Sequence, residues 1–225
     1  MRLSLVAGIA ATAIGVLPAQ AADLALPSLS PVPPELSPYY VHAGIGGLFL
    51  SEGAKLFAAG TPVQGADIKA NSQYTPVLET GYYLNSAWAV SFTGGLPPLV
   101  TVKGTGTVAA AGTLGKVRYG PATLTAHYHF TPFGAFRPYA GAGVVGLIVV
   151  KSIDGSLTNA RLNPALGLVA QFGVDYAISD HWGMFVDVKK AYLRTTAKGY
   201  FGLTPVKGNV KLDPLVVSTG VSYRF

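Results

Sequence analysis

The carboxyl-terminal stretch Pro214-Leu215-Val216-Val217-Ser218-Thr219-Gly220-Val221-Ser222-Tyr223-Arg224-Phe225 decides the fold. In an extended strand Leu215, Val217, Thr219, Val221, Tyr223 and Phe225 share one face. Pro214, Val216, Ser218, Gly220, Ser222 and Arg224 share the other, which is mostly small or polar. Large apolar groups on one side and small polar ones on the other suit a wall between lipid and a narrow lumen.

The same period of two recurs upstream. Leu166, Leu168, Ala170, Phe172, Val174, Tyr176 and Ile178 oppose Gly167, Gln171, Gly173 and Asp175. Trp182, Met184, Val186 and Val188 oppose Gly183, Asp187 and Lys189, and Leu124, Ala126, Tyr128 and Phe130 oppose Thr125, His127 and His129. Alternation predicts eight strands, at about 39–50, 74–84, 88–98, 119–131, 137–150, 164–178, 182–194 and 211–225. The strand at 137–150 is apolar on both faces, so its facing stays open. A bulge is expected at Gly46-Gly47.

Composition points the same way. The 225 residues are 50% hydrophobic and only 12% charged, against about 25% charged in ordinary globular proteins. Such a surface cannot be mostly charged and wet. Beyond residue 21 no run approaches the ~20 apolar residues of a membrane helix. Strands can cross a bilayer only if they close into a barrel, because every backbone group must find a partner. The fold class is therefore all-β, an eight-stranded antiparallel transmembrane barrel. A soluble barrel would need its small, glycine-rich face outside, and that face cannot coat a soluble exterior at this charge density. The absence of cysteine excludes a disulfide framework, a thiolate metal site and a cysteine nucleophile.

The chain opens with Met1-Arg2, an apolar run from Leu3 to Leu17, and Ala19-Gln20-Ala21. That is the pattern of a secretory signal peptide cleaved after residue 21. Residues 22–38 hold five prolines and read as an extended periplasmic lead-in to a barrel over 39–225. Connections at 85–87, 132–136 and 179–181 are short, whereas 51–73, 99–118, 151–163 and 195–210 are long. Short periplasmic turns and long outer loops put both termini in the periplasm of an outer-membrane barrel. Tyr39, Tyr40, Tyr82, Trp88, Tyr128, Phe130, Tyr139, Tyr176, Trp182, Tyr223 and Phe225 lie beside the short turns or the C-terminus and read as a periplasmic girdle. Tyr74, Tyr119 and Tyr192 sketch a sparser outer one.

Parity turns Glu79, Asp175, Asp187, Lys189 and Arg224 inward, with His42 and His127 beside them. A narrow lumen filled by side chains can hold such charges as an ion-pair network that plugs it. His127 and His129 could chelate a metal, but no third ligand is placed, so no metal or other cofactor is expected. Ser91 and His127 both face the lumen, which argues against a lipid-modifying enzyme. Pro97-Pro98 removes ladder donors at the end of the third strand, after a flexible Gly94-Gly95. This reads equally as a break in the wall and as a plain strand end. Leu48, Leu50, Leu56, Phe57, Leu99, Leu162 and Leu166, with Phe201 and Leu203, suggest either an apolar mouth or a small core above the bilayer. The basic residues Lys103, Lys116, Arg118, Lys151, Arg161, Lys198 and Lys207 suit the anionic lipopolysaccharide leaflet. No motif supports nucleic-acid binding.

A family resemblance is carried by an ordered set of motifs. These are Tyr119-Gly120-Pro121-Ala122-Thr123-Leu124, Tyr128-His129-Phe130, Arg137-Pro138-Tyr139-Ala140-Gly141-Ala142-Gly143 and Gln171-Phe172-Gly173-Val174-Asp175-Tyr176. Trp182, Asp187, Leu212-Asp213-Pro214 and the terminal Tyr223-Arg224-Phe225 complete the set. Together they resemble the outer-membrane protein W family, including its alkane-uptake branch. The resemblance implies a passive channel for small hydrophobic molecules, with a lumen closed toward the periplasm. Solute would enter an apolar funnel from outside and leave sideways into outer-membrane lipid, with Gly94, Gly95, Pro97 and Pro98 at the lateral gate. Leu166 stands where many members carry a Trp near the funnel floor. Tyr223 and Phe225 match the signal read by the barrel-insertion machinery. The rival from another class is a structural, adhesion or receptor barrel that transports nothing.

Overall fold

The computed structural model describes residues 36–50 and 53–225. The expected signal peptide and nearly all of the lead-in lie outside the described residues. The described chain forms β1 (Tyr39–Phe49), β2 (Gly53–Ala58), β3 (Thr61–Pro62), β4 (Ala66–Ala70), β5 (Gln73–Tyr83), β6 (Trp88–Gly95) and β7 (Leu99–Gly106). There follow β8 (Thr113–His129), β9 (Phe136–Asp154), β10 (Thr158–Leu162), β11 (Ala165–Ala177), β12 (Trp182–Tyr192), β13 (Arg194–Phe201), β14 (Thr204–Lys211) and β15 (Leu215–Arg224). Among the described residues no helix is long and apolar enough to cross a membrane.

Eight of these strands pair antiparallel in the order β8-β6-β5-β1-β15-β12-β11-β9, and β9 pairs back onto β8. That last pairing closes the barrel and removes the free edges. The polarity of the wall is the reverse of a soluble protein's. On β12 Gly183, Phe185, Asp187, Lys189 and Ala191 are buried, while Trp182, Met184, Val186 and Tyr192 are exposed. Exposed leucine, phenylalanine and tyrosine around the outside match a lipid-facing surface.

Several expectations change. The ladders of β1 to both neighbours run through Gly46-Gly47 without a shift, so no bulge lies there. The shift in register is at Arg118/Tyr119, between β8 and β9. The open facing of 137–150 resolves with Tyr139, Val145 and Leu147 inside and Val144, Ile148 and Val150 outside. Tyr40, Tyr139 and Tyr119 leave the girdles: all three are buried. Tyr40 is two residues from His42 and Tyr139 sits on the inward face of β9, so strand parity overrides closeness to a turn. The remaining girdle residues stay outside, with Tyr223 half-buried between Trp182 and Phe225.

The regions expected to be long loops are mostly strand. β7 pairs with the upper part of β8, and β4 pairs with β7. A second sheet runs β10-β13-β14-β2-β3. β2 packs beside β4 and β10 beside β9, and the Asp67 carboxylate of β4 accepts a hydrogen bond from the Ala54 N–H of β2 at 2.9 Å. The two sheets thus extend the wall beyond the lipid-facing belt as a second ring, here called the cuff. Alternation continues in the cuff, with Val206, Gly208 and Val210 opposite Lys207, Asn209 and Lys211. Its outward face is cationic instead of apolar, which disguised these segments as loops.

Two glycines make room inside the barrel. A Cβ on Gly81 would collide with the Tyr40 ring, and one on Gly173 with the Tyr139 ring. Overpacking of this kind costs about 1–3 kcal/mol. Gly173→Ala should therefore lower the temperature at which the folded band is lost in a heat-modifiability gel. An unchanged transition would mean that Tyr139 is free to move aside.

Candidate functional site

The lumen near the short turns is filled by a connected polar network. Glu79 on β5 and Asp187 on β12 both grip Lys189, at 2.9 Å and 2.6 Å. Thr93 donates to Glu79 at 2.6 Å, and Tyr139 donates to Asp187 at 2.9 Å. Gln171 donates to Asp187 at 2.8 Å and accepts from Thr125 at 2.6 Å. His42 lies 3.2 Å from Asp175 and is stacked on Phe185 with centroids 4.4 Å apart. His127 is bonded to His129 at 2.9 Å, and its other nitrogen meets Tyr40 and Ser91. Seven of the eight barrel strands contribute a side chain. Burial makes each charge costly unless paired, and here almost every one has several partners.

Of the residues placed in the plug from sequence, Glu79, Asp175, Asp187, Lys189, His42 and His127 come together. Arg224 does not. It lies at the mouth by the short turns, over the Tyr83 ring at 4.7 Å, and donates to the Ser37 carbonyl. As the last residue of β15, it is too near the end of the barrel to reach the carboxylates. Tyr40, Tyr139, Gln171, Thr93 and Thr125 belong to the network and were not singled out beforehand. Their parity was the available signal. His127 and His129 bond to each other, and among the described residues no group of three or more acids or histidines is arranged to hold a metal.

Above the network the lumen turns apolar. A cavity of about 50 Å³ has Lys189 at its floor and Leu48, Val169, Ala191 and Val216 on its far wall. Its near wall is Gly94, Gly95, Leu96, Pro98, Gly120 and Pro121. The β6–β8 ladder stops at Thr93 opposite Thr123, and β7 meets β8 again only at Leu99 opposite Arg118. Between those points neither ladder pairs residues 94–98 with 120–122. Pro97 and Pro98 have no N–H to offer from one side and Pro121 has none from the other. Leu96 is instead tied to β5: its N–H reaches the Pro76 carbonyl, and Thr75 Oγ1 donates to its carbonyl. Pro121 is the part of this break that the sequence reading had not named.

A second cavity, of about 100 Å³, lies inside the cuff. Leu56, Ile68, Val100, Val102, Leu162 and Val206 are among its lining, which is almost wholly apolar. Between the two cavities a buried apolar layer packs Leu193, Val145 and Leu147 with Tyr119 and Leu212. Leu56 and Leu162 therefore lie where a funnel was expected, Leu50 packs against the buried layer, and Leu48 lines the lower cavity. Leu166 and Phe57 do not. Leu166 is 84% exposed on the outward face of β11, and Phe57 has the opposite parity to Leu56 and lines a groove on the outside of the cuff. Phe201 and Leu203 are exposed at the β13–β14 turn. Phe57, Phe201 and Leu203 were placed by apolarity and Leu166 also by the family resemblance; strand parity turns Leu166 and Phe57 outward, and the turn exposes Phe201 and Leu203.

Removing one partner of a buried ion pair costs about 3–5 kcal/mol. Asp187 is 1% exposed, so Asp187→Ala should lower the urea midpoint of the folded barrel in detergent and admit ions in planar bilayers. An unchanged midpoint would show that the lumen charges are solvated separately.

The profile of the OmpW family matches residues 38–225. The dibenzothiophene metabolism operon protein PahQ of Pseudomonas aeruginosa is 32% identical over 196 residues, covering 87% of this chain and 92% of that protein. The outer membrane protein AlkL of Ectopseudomonas oleovorans is 29% identical over 189 residues, covering 84% and 79%. The crystal structure of the outer membrane protein OprG from Pseudomonas aeruginosa has the same fold, with a TM-score of 0.78 at 22% identity over 85% of this chain and 97% of that one. AlkL and OprG are outer membrane proteins, and the family match over nearly all of the described chain, on a closed barrel with an apolar outside and a polar lumen, places this protein in the OmpW family.

Proposed function

We propose that this barrel carries small hydrophobic molecules passively across the outer membrane. The supporting observation is the pairing of two apolar cavities above a charged, packed lumen floor. A solute that enters the cuff would pass the layer around Leu193 and reach the cavity floored by Lys189. Going further would mean displacing the Glu79–Lys189–Asp187 pairs, whose disruption is costly in a buried site. Moving sideways between residues 94–98 and 120–122, where the ladder of β6 with β8 has ended and that of β7 with β8 has not begun, returns the solute to hydrocarbon without exposing it to water. PahQ is named for an operon of dibenzothiophene metabolism, and dibenzothiophene is a flat apolar molecule. A barrel serving only adhesion would have no use for two apolar cavities stacked above a charged floor.

In this reading the short turns and both termini face the periplasm and the cuff faces outward. An export signal at 1–21 and an assembly signal ending in Tyr223 and Phe225 belong to the same route. The chain has no cysteine, so single cysteines can report the orientation. Leu203→Cys should react with a membrane-impermeant maleimide on intact cells, and Phe133→Cys only after permeabilisation. Labelling in the opposite order would invert the topology.

The gate is tested with labelled dibenzothiophene, taken up by cells and normalised to folded barrel. Pro97→Ala with Pro98→Ala returns N–H donors to the wall, and one new rung at about 1 kcal/mol should cut uptake roughly fivefold. Undiminished uptake in a well-folded double variant would place the exit elsewhere. Uptake equal to that of cells lacking the protein would remove the transport function itself.

A further inference from the structure

The outward face of the cuff carries an arrangement that transport does not require. Arg161 on β10 lies directly opposite Lys198 on β13, and Lys198 lies directly opposite Lys207 on β14. Three cations thus stand side by side across three adjacent strands, all exposed. They line one groove together with Phe57, Tyr200 and Asn209. The pattern repeats around the ring: Lys69 faces Lys103, Arg118 faces Lys151 and Arg194 faces Lys211. Like charges directly opposite on neighbouring strands destabilise a sheet, so a surface built this way calls for an anion from outside.

Among the described residues, the cuff's own carboxylates are engaged elsewhere. Asp67 accepts from the Ala54 and Ile68 N–H groups, and Asp154 from those of Asn159 and Ala160. Asp213 accepts from the Leu193 N–H and holds Lys211 at 3.2 Å. Among the described residues no carboxylate pairs with Arg161, Lys198 or Lys207.

The position of the cations narrows the choice of partner. Tyr192 is the last outward apolar residue of β12, and Arg194 is the next outward residue along the chain. From the Arg194–Lys211 row to the Lys198–Lys207 row is four residues, about 14 Å at ~3.4 Å per residue. The cations therefore begin where the lipid-facing belt ends and rise through the headgroup layer.

We propose that this face, centred on Arg161, Lys198 and Lys207, docks the phosphate groups of outer-leaflet lipopolysaccharide. Arginine supplies planar two-pronged donation to a phosphate and the two lysines supply mobile point charges. Phe57 and Tyr200 give the sugar and acyl portions an apolar edge to rest against. The bound lipid cancels the repulsion across β10, β13 and β14 and anchors the cuff upright over its cavity. The assignment rests on the outward orientation proposed above but not on transport.

The test uses the full barrel in zwitterionic nanodiscs, titrated with diphosphorylated lipid A, dephosphorylated lipid A and inorganic tripolyphosphate. The diphosphorylated form should bind, with an affinity that falls as salt rises, and the other two should bind far more weakly. At about fivefold per surface cation, the triple variant R161Q/K198Q/K207Q should lose roughly 100-fold and Lys198→Gln alone about fivefold. The triple variant should melt at the same or a higher temperature, since it relieves like-charge repulsion. Equal binding of dephosphorylated lipid A would overturn the assignment. So would tripolyphosphate binding as tightly as lipid, which would mark a site for soluble polyanions, and so would unchanged affinity in both variants. Dibenzothiophene flux into vesicles without lipopolysaccharide should survive the triple substitution, which separates this proposal from the transport reading.

Discussion

In hydrocarbon, only the protein itself can satisfy a backbone N–H or C=O, and this constraint governs the whole molecule. It forces β9 back onto β8 and so closes the ring. Closure fixes which side of every strand meets lipid. From there the polarity follows: phenylalanine, leucine and tryptophan outside, carboxylates, histidines and threonines within. A stretch where the ladder lapses is then conspicuous. It coincides with prolines on both facing segments, Pro97 and Pro98 against Pro121, which cannot donate. The lapse is written into covalent structure, so no rearrangement of hydrogen bonds can close it completely.

The interior divides by polarity along its length. At one end Glu79, Asp187 and Lys189 are locked together with Tyr139 and Gln171. Beyond them come a small apolar cavity, a packed apolar layer and a larger apolar cavity. Between the two cavities an apolar solute meets only the packed apolar layer around Leu193, whereas the charged floor offers it no favourable contact and would have to break apart to let it through. The break in the wall opens onto the cavity just above that floor. The sideways route proposed above rests on this juxtaposition. Beside the floor, Gly81 packs against the Tyr40 ring and Gly173 against the Tyr139 ring.

The cuff obeys a different solvent. Its strands continue the same pleat, but their outward residues are lysine and arginine instead of leucine and phenylalanine. Backbone pairing is also sparser here: β10 meets β13 at three positions and β2 meets β3 at two, whereas the barrel ladder closes on itself through β8 and β9. The unbalanced positive face suits a layer rich in fixed phosphate.

Much of this was legible in the sequence because a strand has a period of two. Alternation alone determined the eight barrel strands, the lipid face, and the inward placement of Glu79, Asp175, Asp187 and Lys189. The donor-poor Pro97-Pro98 pair was visible for the same local reason. Parity says which face a side chain takes, but not how far along the barrel it sits or what stands across the lumen. Arg224 shared the face of the plug and proved to lie at its mouth, while Tyr40 and Tyr139, assigned by their nearness to turns, proved to belong inside it. Leu166 and Phe57 were apolar enough for a funnel and point away from it. The cuff escaped notice because its contrast is inverted: Val206, Gly208 and Val210 face inward and Lys207, Asn209 and Lys211 outward, the reverse of the apolar-outside pattern by which the barrel strands are recognised. Pairings such as Glu79 with Lys189, 110 residues apart, exist only once the ring closes. Local periodicity therefore determined the wall, and the tertiary structure decided what meets across it.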